Sequence, residues 1–240
     1  MDTTRDELAT LGALAEPSRR ALYDFVVAQR GWVSREQAAD AVGIQRGIAA
    51  HHLDRLAEEG LLDVDYQRLS GRRGPGAGRP AKVYRRAEEE VGVSLPPRQY
   101  ELAGQLLAEA AERSQRDGAP IDRALRDAAR EQGRALGERS RRRLGRKTST
   151  RARREAVLDE LRALGYEPDT RDDGVTVLRN CPFHHLAREH TELICGMNHC
   201  LLDSVLSTID DTGLRAALEP EDGSCCVRFH PAGASKTNTT

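Results

Sequence analysis

Apolar positions in the first ninety residues recur at helical spacing in several short runs. Over residues 17–29, Leu22, Phe25 and Val26 form one stripe, and Pro17 suits a first helical turn. Residues 5–14 carry a weaker helical pattern. Ser34 then stands at an N-cap position ahead of a run in which Ala38, Ala39 and Val42 share a face, and Gly43 ends that helix. The segment "QRGIAAHHLDRLAEEG" predicts a third helix from about Gln45 to Glu59, stopped by Gly60. Its expected inward residues are Ile48, Leu53 and Leu56. Gln45, Arg46, Ala49, His52 and Arg55 are expected nearer the outside, with His51 at the boundary. "LLDVDYQRL" alternates as a strand does, a Gly/Pro/Arg loop covers 70–80, and "AKVYRR" is a second short strand.

The pattern then turns to longer helices. "SLPPRQYELAGQLLAEAAERS" opens at a proline pair and carries Tyr100, Ala103, Leu106, Leu107 and Ala110 on one stripe. It predicts an exposed amphipathic helix that seeks a partner, for which a second copy of the chain is the natural candidate. Residues 120–145 and 151–164 predict two further helices. Beyond Gly165, "YEPDT" and "GVTVLRN" predict strands around a turn, Pro182–His190 and Met197–Ile209 predict helices, and "LRAAL" and "CCVRFH" predict two more strands. The polar tail from 231 to 240 predicts disorder.

Composition narrows the picture. A 38% hydrophobic and 4% aromatic content over 240 residues supports small cores rather than one thick one. The start "MDTTRDELATLG" lacks an apolar signal-peptide core, and no run approaches the roughly 18 apolar residues of a membrane span. A cytoplasmic protein without a membrane partner is expected. The formal net charge of −1 conceals two basic segments. Residues 67–86 hold seven basic side chains and no acidic one; residues 134–154 hold ten basic and one acidic.

Three helices with a tight turn between the last two, followed by a hairpin, make the outline of a winged helix-turn-helix. In that arrangement the second helix of the motif enters the major groove of DNA. Gln45 and Arg46 would then meet base edges, Ala49 and His52 would lie further along, and Arg55 would reach phosphate. The loop "GRRGPGAGRP" can lie extended and place Arg72, Arg73 and Arg79 along a minor groove. Short winged helices also serve as protein-binding modules, but the basic loop favours DNA.

The second concentration of chemistry is "RNCPFHHLAREHTELICGMNHC", where three cysteines and four histidines fall within residues 179–200. Cys225 and Cys226 follow, and no cysteine precedes Cys181. Five thiols at one end of a cytoplasmic chain suit a metal, cluster or redox site better than a disulfide framework. Thiolates are soft ligands for iron–sulfur clusters, zinc or cuprous ion. The single, widely spaced cysteines argue against a zinc knuckle and fit a cluster held between separate elements. His184 is an added ligand candidate. Cys200 is expected as a buried helical thiol, and Cys225 and Cys226, as strand neighbours, are expected to face opposite ways. No nucleophile motif, phosphate loop or HExxH zinc site is present, so an enzyme is not expected.

"EPSRRALYDFV", "AAHHLDRLAEEGLL", "SGRRGPGAGRPAKVYRR" and "LPPRQYELAGQLLAEA" together resemble the winged-helix bacterial regulators related to the ArsR and DeoR types, notably the SufR-like branch. "NCPFHHLAREHTELICGMN" and "GSCCVRF" are similar to the effector half of the same proteins, so the resemblance runs from about residue 12 to 230. It implies a repressor in which three cysteines hold a [4Fe–4S] cluster. Those positions are Cys181, Cys195 and Cys225 here, with Cys226 and His184 as additional candidates. In that branch the first two cysteines stand one residue closer together than Cys181 and Cys195.

The combined expectation is an α+β protein with four parts. A winged helix-turn-helix DNA-binding domain covers 1–90, a helical dimerisation linker 91–150, a small cysteine-rich α+β sensor domain 151–230, and a disordered tail 231–240. Its partners would be a palindromic double-stranded DNA operator and a second copy of itself. Zinc or another metal, thiol oxidation and an organic effector are the alternatives to the cluster.

Overall fold

The computed structural model describes residues 3–68, 80–88, 90–145, 148–221 and 223–233. The chain is mixed α and β and divides into two compact units, Met1–Val93 and Ser94–Thr240.

The first unit contains α1 (Thr3–Ala13), α2 (Pro17–Val27), β1 (Val33–Ser34), α3 (Arg35–Val42), α4 (Arg46–Glu58), β2 (Leu62–Gln67) and β3 (Ala81–Arg86). Local chemistry sets its boundaries. Glu16 caps α2 by accepting from the Ser18 and Arg19 amides, ahead of Pro17. Ser34 and Gln37 form a reciprocal capping box at the start of α3, at 3.2 and 2.9 Å. Gly43 closes α3 in the left-handed region at φ 74°, where a side chain would be strained.

The three strands form an antiparallel sheet in the order β1-β3-β2, with Val33 opposite Tyr84 and Val64 opposite the same Tyr84. Leu22, Val26, Ala38, Ala39, Ala49, Leu53, Leu56 and Tyr84 form its core. One carboxylate ties helix to sheet. Asp54 of α4 accepts two bonds from Arg35 (2.7 and 2.8 Å), one from Lys82 (2.6 Å) and one from the Tyr84 hydroxyl (2.5 Å).

The second unit contains α5 (Tyr100–Asp117), α6 (Ile121–Arg143), α7 (Thr150–Ala163), β4 (Pro168–Thr170), β5 (Thr176–Leu178), α8 (His184–Glu189), α9 (Thr191–Thr208), β6 (Leu214–Leu218) and β7 (Val227–Pro231). The strands pair antiparallel in the order β4-β5-β7-β6. α6 and α9 pack closely through Gly133 and Gly137, whose missing side chains admit the α9 backbone at Leu201 and Val205.

Two expectations need correction. The apolar stripe of α5 is not left waiting for a partner, because Ala103, Leu106 and Ala110 are buried in one core with α6, α7, α9 and the sheet. Only Tyr100 at its start keeps a large exposed surface. The linker region and the cysteine-bearing region thus share a core. α9 also begins six residues before the expected Met197, because Gly196 is accommodated within the helix.

Candidate functional site

On α4 the outward face differs by one position from the sequence reading. Gln45, Arg46, Ile48, His51 and Arg55 are exposed. Ala49 is 0% exposed, and Ile48, expected inside, is 46% exposed. The buried set Ala49, Leu53 and Leu56 follows the i, i+4, i+7 spacing of one helical face, and Ile48 lies about 100° away from it. His52 is turned partly inward, its Nε2 3.5 Å from the Glu16 carboxylate and its buried Nδ1 without a hydrogen-bond partner among the described residues. Ala49 and His52 are therefore removed from the outward face.

The exposed cations hold carboxylates: Arg46 pairs with Glu36 at 2.5 Å, and Arg55 with Glu59 at 2.5 Å and Glu58 at 3.7 Å. At such exposure these pairs are weak and exchangeable. Arg72, Arg73 and Arg79 lie outside the described residues. Arg85 of β3 sits over the Trp32 ring with its guanidinium 4.7 Å from the ring centre.

In the second unit the topology gathers the thiols. Because β5 pairs with β7, the segment leaving β5 and the segment entering β7 meet at one end of the sheet. Cys181 is on the first and Cys225 and Cys226 on the second, with the Cys225 amide donating to the Leu178 carbonyl at 2.8 Å. The cysteine pair precedes β7 rather than lying on it, yet the two side chains are separated as expected: Cys226 lines the cavity described below and Cys225 does not. α9 brings Cys195.

Cys181 and Cys225, Cys225 and Cys226, and Cys226 and Cys195 are neighbours close enough to shift one another's acidity. Cys181, Cys195 and Cys226 line a cavity of about 630 Å³ together with His184, Arg188 and Glu221. Cys225 lies behind it at 1% exposure.

The thiols differ in acidity along that row. Cys181 is raised by its neighbour Cys225 and by burial. Cys225 is lowered by Cys181, but its neighbour Cys226 and burial together push it up to about 12. Cys226 is pushed up to about 12, first by its neighbour Cys195. Cys195 alone of the four is lowered, chiefly by its neighbour Cys226. His184 is lowered by burial and by the nearby Arg98 charge.

Cys200 is a different case. It is buried on α9 and raised by burial, and it is not among the residues lining the cavity. His185 stacks toward Tyr100 with ring centres 6.4 Å apart, and His190 joins α8 to α9.

Several residues that hold the site are silent in the sequence patterns. Arg98 donates to Asn180 Oδ1 at 2.6 Å and to the Cys181 carbonyl at 2.9 Å. Asn180 in turn donates to the Gly165 carbonyl at 2.6 Å, fixing the backbone beside Cys181. Asn198 on α9 donates to Cys225 Sγ at 3.2 Å and accepts from the Tyr166 hydroxyl. The one available signal was an asparagine inside the apolar run "LICGMNHCLL", where a buried amide needs partners.

Among the described residues, no group of three or more His, Cys, Asp or Glu side chains is placed to hold a metal ion. The donor chemistry nevertheless fits a soft metal group: four thiols from three separate segments, three of them on one cavity wall. Compared with protein-family models, with curated proteins and with solved structures, the chain matches none. Among the described residues no helix is long and apolar enough to cross a membrane.

Proposed function

We propose that the chain is a transcriptional regulator, a homodimeric repressor whose affinity for a palindromic DNA operator is set by a [4Fe–4S] cluster at the C-terminal cysteines. The first unit is read as a winged helix-turn-helix, with α3 and α4 as the motif and the β2–β3 hairpin as the wing. Gln45, Arg46 and Arg55 present hydrogen-bonding and cationic groups on the exposed face of α4, which suits base edges and phosphates. Arg72, Arg73 and Arg79 would extend the contact through the wing.

The observation that carries the sensing half is the meeting of Cys181, Cys195, Cys225 and Cys226 beside one cavity. Cys181, Cys195 and either member of the 225–226 pair would hold the cluster, with the remaining thiol or His184 completing the ligand set. When bound, such a cluster supplies a centre readily altered by oxidants. The chain's own part is to hold three segments in register: Arg98 and Asn180 fix the backbone at Cys181, and the β5–β7 pairing fixes the cysteine pair.

A metal-free thiol sensor is the second reading. It is favoured by the thiols gathered on one cavity wall, among which burial is outweighed at Cys195 and its pKa is shifted down by Cys226. Zinc or an organic effector would occupy the same cavity.

The test is anaerobic purification followed by a visible spectrum and iron, sulfide and zinc analysis, with operator affinity measured before and after cluster removal. About four iron and four sulfide per chain, and an affinity that changes on removal, support the proposal. One zinc, or no metal with an affinity that responds to oxidant, replaces the cluster with the corresponding alternative. No DNA affinity in any state overturns the regulator itself.

A further inference from the structure

We propose that Asn198, clamped by Tyr166, is a positioning residue for the Cys225 sulfur as a metal-bound thiolate, and that its N–H sets the redox potential of the bound cluster. The inference rests on the cluster reading above.

Asn198 is 1% exposed in the middle of α9, and Tyr166 is 2% exposed. A buried side-chain amide requires partners for its carbonyl and its N–H groups. The Tyr166 hydroxyl donates to Oδ1, which fixes the amide orientation and leaves Nδ2 facing Cys225 Sγ at 3.2 Å. A neutral thiol sulfur is a weak acceptor, whereas a thiolate makes a charge-assisted bond. Spending a buried N–H on this sulfur is therefore well matched to a state in which Cys225 carries negative charge. Metal ligation supplies that state without exposing the sulfur to water. Cys225 lies behind the cavity wall while Cys181, Cys195 and Cys226 line it. The amide thus reaches the ligand sulfur from the protein side, where solvent cannot replace it.

Hydrogen bonds to cluster sulfurs and ligand orientation are among the levers a protein has on cluster potential. An N–H donor stabilises the more electron-rich, reduced state and so raises the potential. Losing it lowers the potential.

The experiment compares wild type, Asn198→Leu and Tyr166→Phe after anaerobic reconstitution with iron and sulfide. Iron and sulfide content, far-UV circular dichroism and the midpoint potential are read for each. The expected result is unchanged iron and sulfide in both variants, a potential shifted negative in Asn198→Leu, and a smaller negative shift in Tyr166→Phe, which loses only the clamp. If Asn198→Leu does not fold, the Tyr166→Phe potential decides alone. Loaded variants with the wild-type potential overturn the inference and leave the cluster reading standing. Folded variants that both fail to load overturn the tuning role and leave a structural one. A wild type that takes up no cluster removes the cluster reading, and the inference with it.

Discussion

A Cβ added at Gly133 of α6 would fall inside contact distance of the Leu201 carbonyl oxygen on α9, and 2.8 Å from the Ser204 Cβ. The obstruction is backbone, so no rotamer change relieves it. Gly133→Ala should therefore destabilise the second unit by about 1–3 kcal/mol, the usual cost of overpacking, even though alanine is the better helix former. Gly104 on α5 provides the control, since nothing among the described residues lies within 4 Å of its added Cβ. Gly104→Ala should stabilise by about 0.5–1 kcal/mol. Urea unfolding of the two variants should give shifts of opposite sign. Equal shifts would mean that α6 and α9 do not pack as closely as described.

Ile48 and Ala49 are sequence neighbours that face opposite environments, so under the proposed function substitutions at the two should separate operator binding from folding. Ile48→Ala should leave the melting temperature nearly unchanged and weaken binding to a preferred operator, because an exposed aliphatic group beside Arg46 can contact a thymine methyl. Ala49→Leu should lower the melting temperature by overpacking a fully buried position. Thermal melts and operator titrations on both variants check this. An operator affinity unaffected by Ile48→Ala would remove that residue from the contact surface.

The elements with strong local punctuation were legible in the sequence. Pro17, the Ser34–Gln37 box and Gly43 mark α2 and α3 because each satisfies or ends a helix terminus with its own side chain or backbone. The inward face of α4 was misread by one position because Ala49 is small and Ile48 large, so side-chain size outweighed the i, i+4, i+7 spacing of 49, 53 and 56. The thiol-rich end was visible as composition, but the meeting of Cys181 with Cys225 depends on β5 lying beside β7. That strand order is a long-range result that no local pattern contains. Asn198 and Tyr166 were missed for the same reason, since each acquires meaning only from a partner 32 residues away or from Cys225, 27 residues away.

Asp54 makes the stability of the first unit dependent on acid. Burial alone would raise its pKa, but hydrogen bonds from Lys82, Tyr84 and Arg35 outweigh that effect and hold it below its ordinary value. A folded-state pKa below the unfolded one means that unfolding takes up protons. The stabilisation is therefore complete above the unfolded value of about 3.9 and is lost as pH falls through the lowered folded value. Asp54→Asn should be less stable than wild type at neutral pH, and the difference should shrink in that acid window. A gap that stays constant from pH 7 to pH 2 would show that the carboxylate charge is not what holds α4 to β3.

Cys195 and Cys200 lie on the same helix, five positions apart, and should respond oppositely to substitution. Cys195 lines the cavity, whereas Cys200 is buried outside it. Cys195→Ser replaces a soft donor with a hard one at the cavity wall, and it should abolish retention of iron and sulfide and any difference in operator affinity between the loaded and stripped protein. Cys200→Ala removes only a packed sulfur, so it should cost some stability and leave metal content and operator response at wild-type values. Metal analysis and operator titration of the two variants, purified without oxygen, test the assignment. Retention of iron by Cys195→Ser together with its loss in Cys200→Ala would move the site off the cavity wall. Loss in both would mean that the helix as a whole, rather than one of its sulfurs, holds the site together.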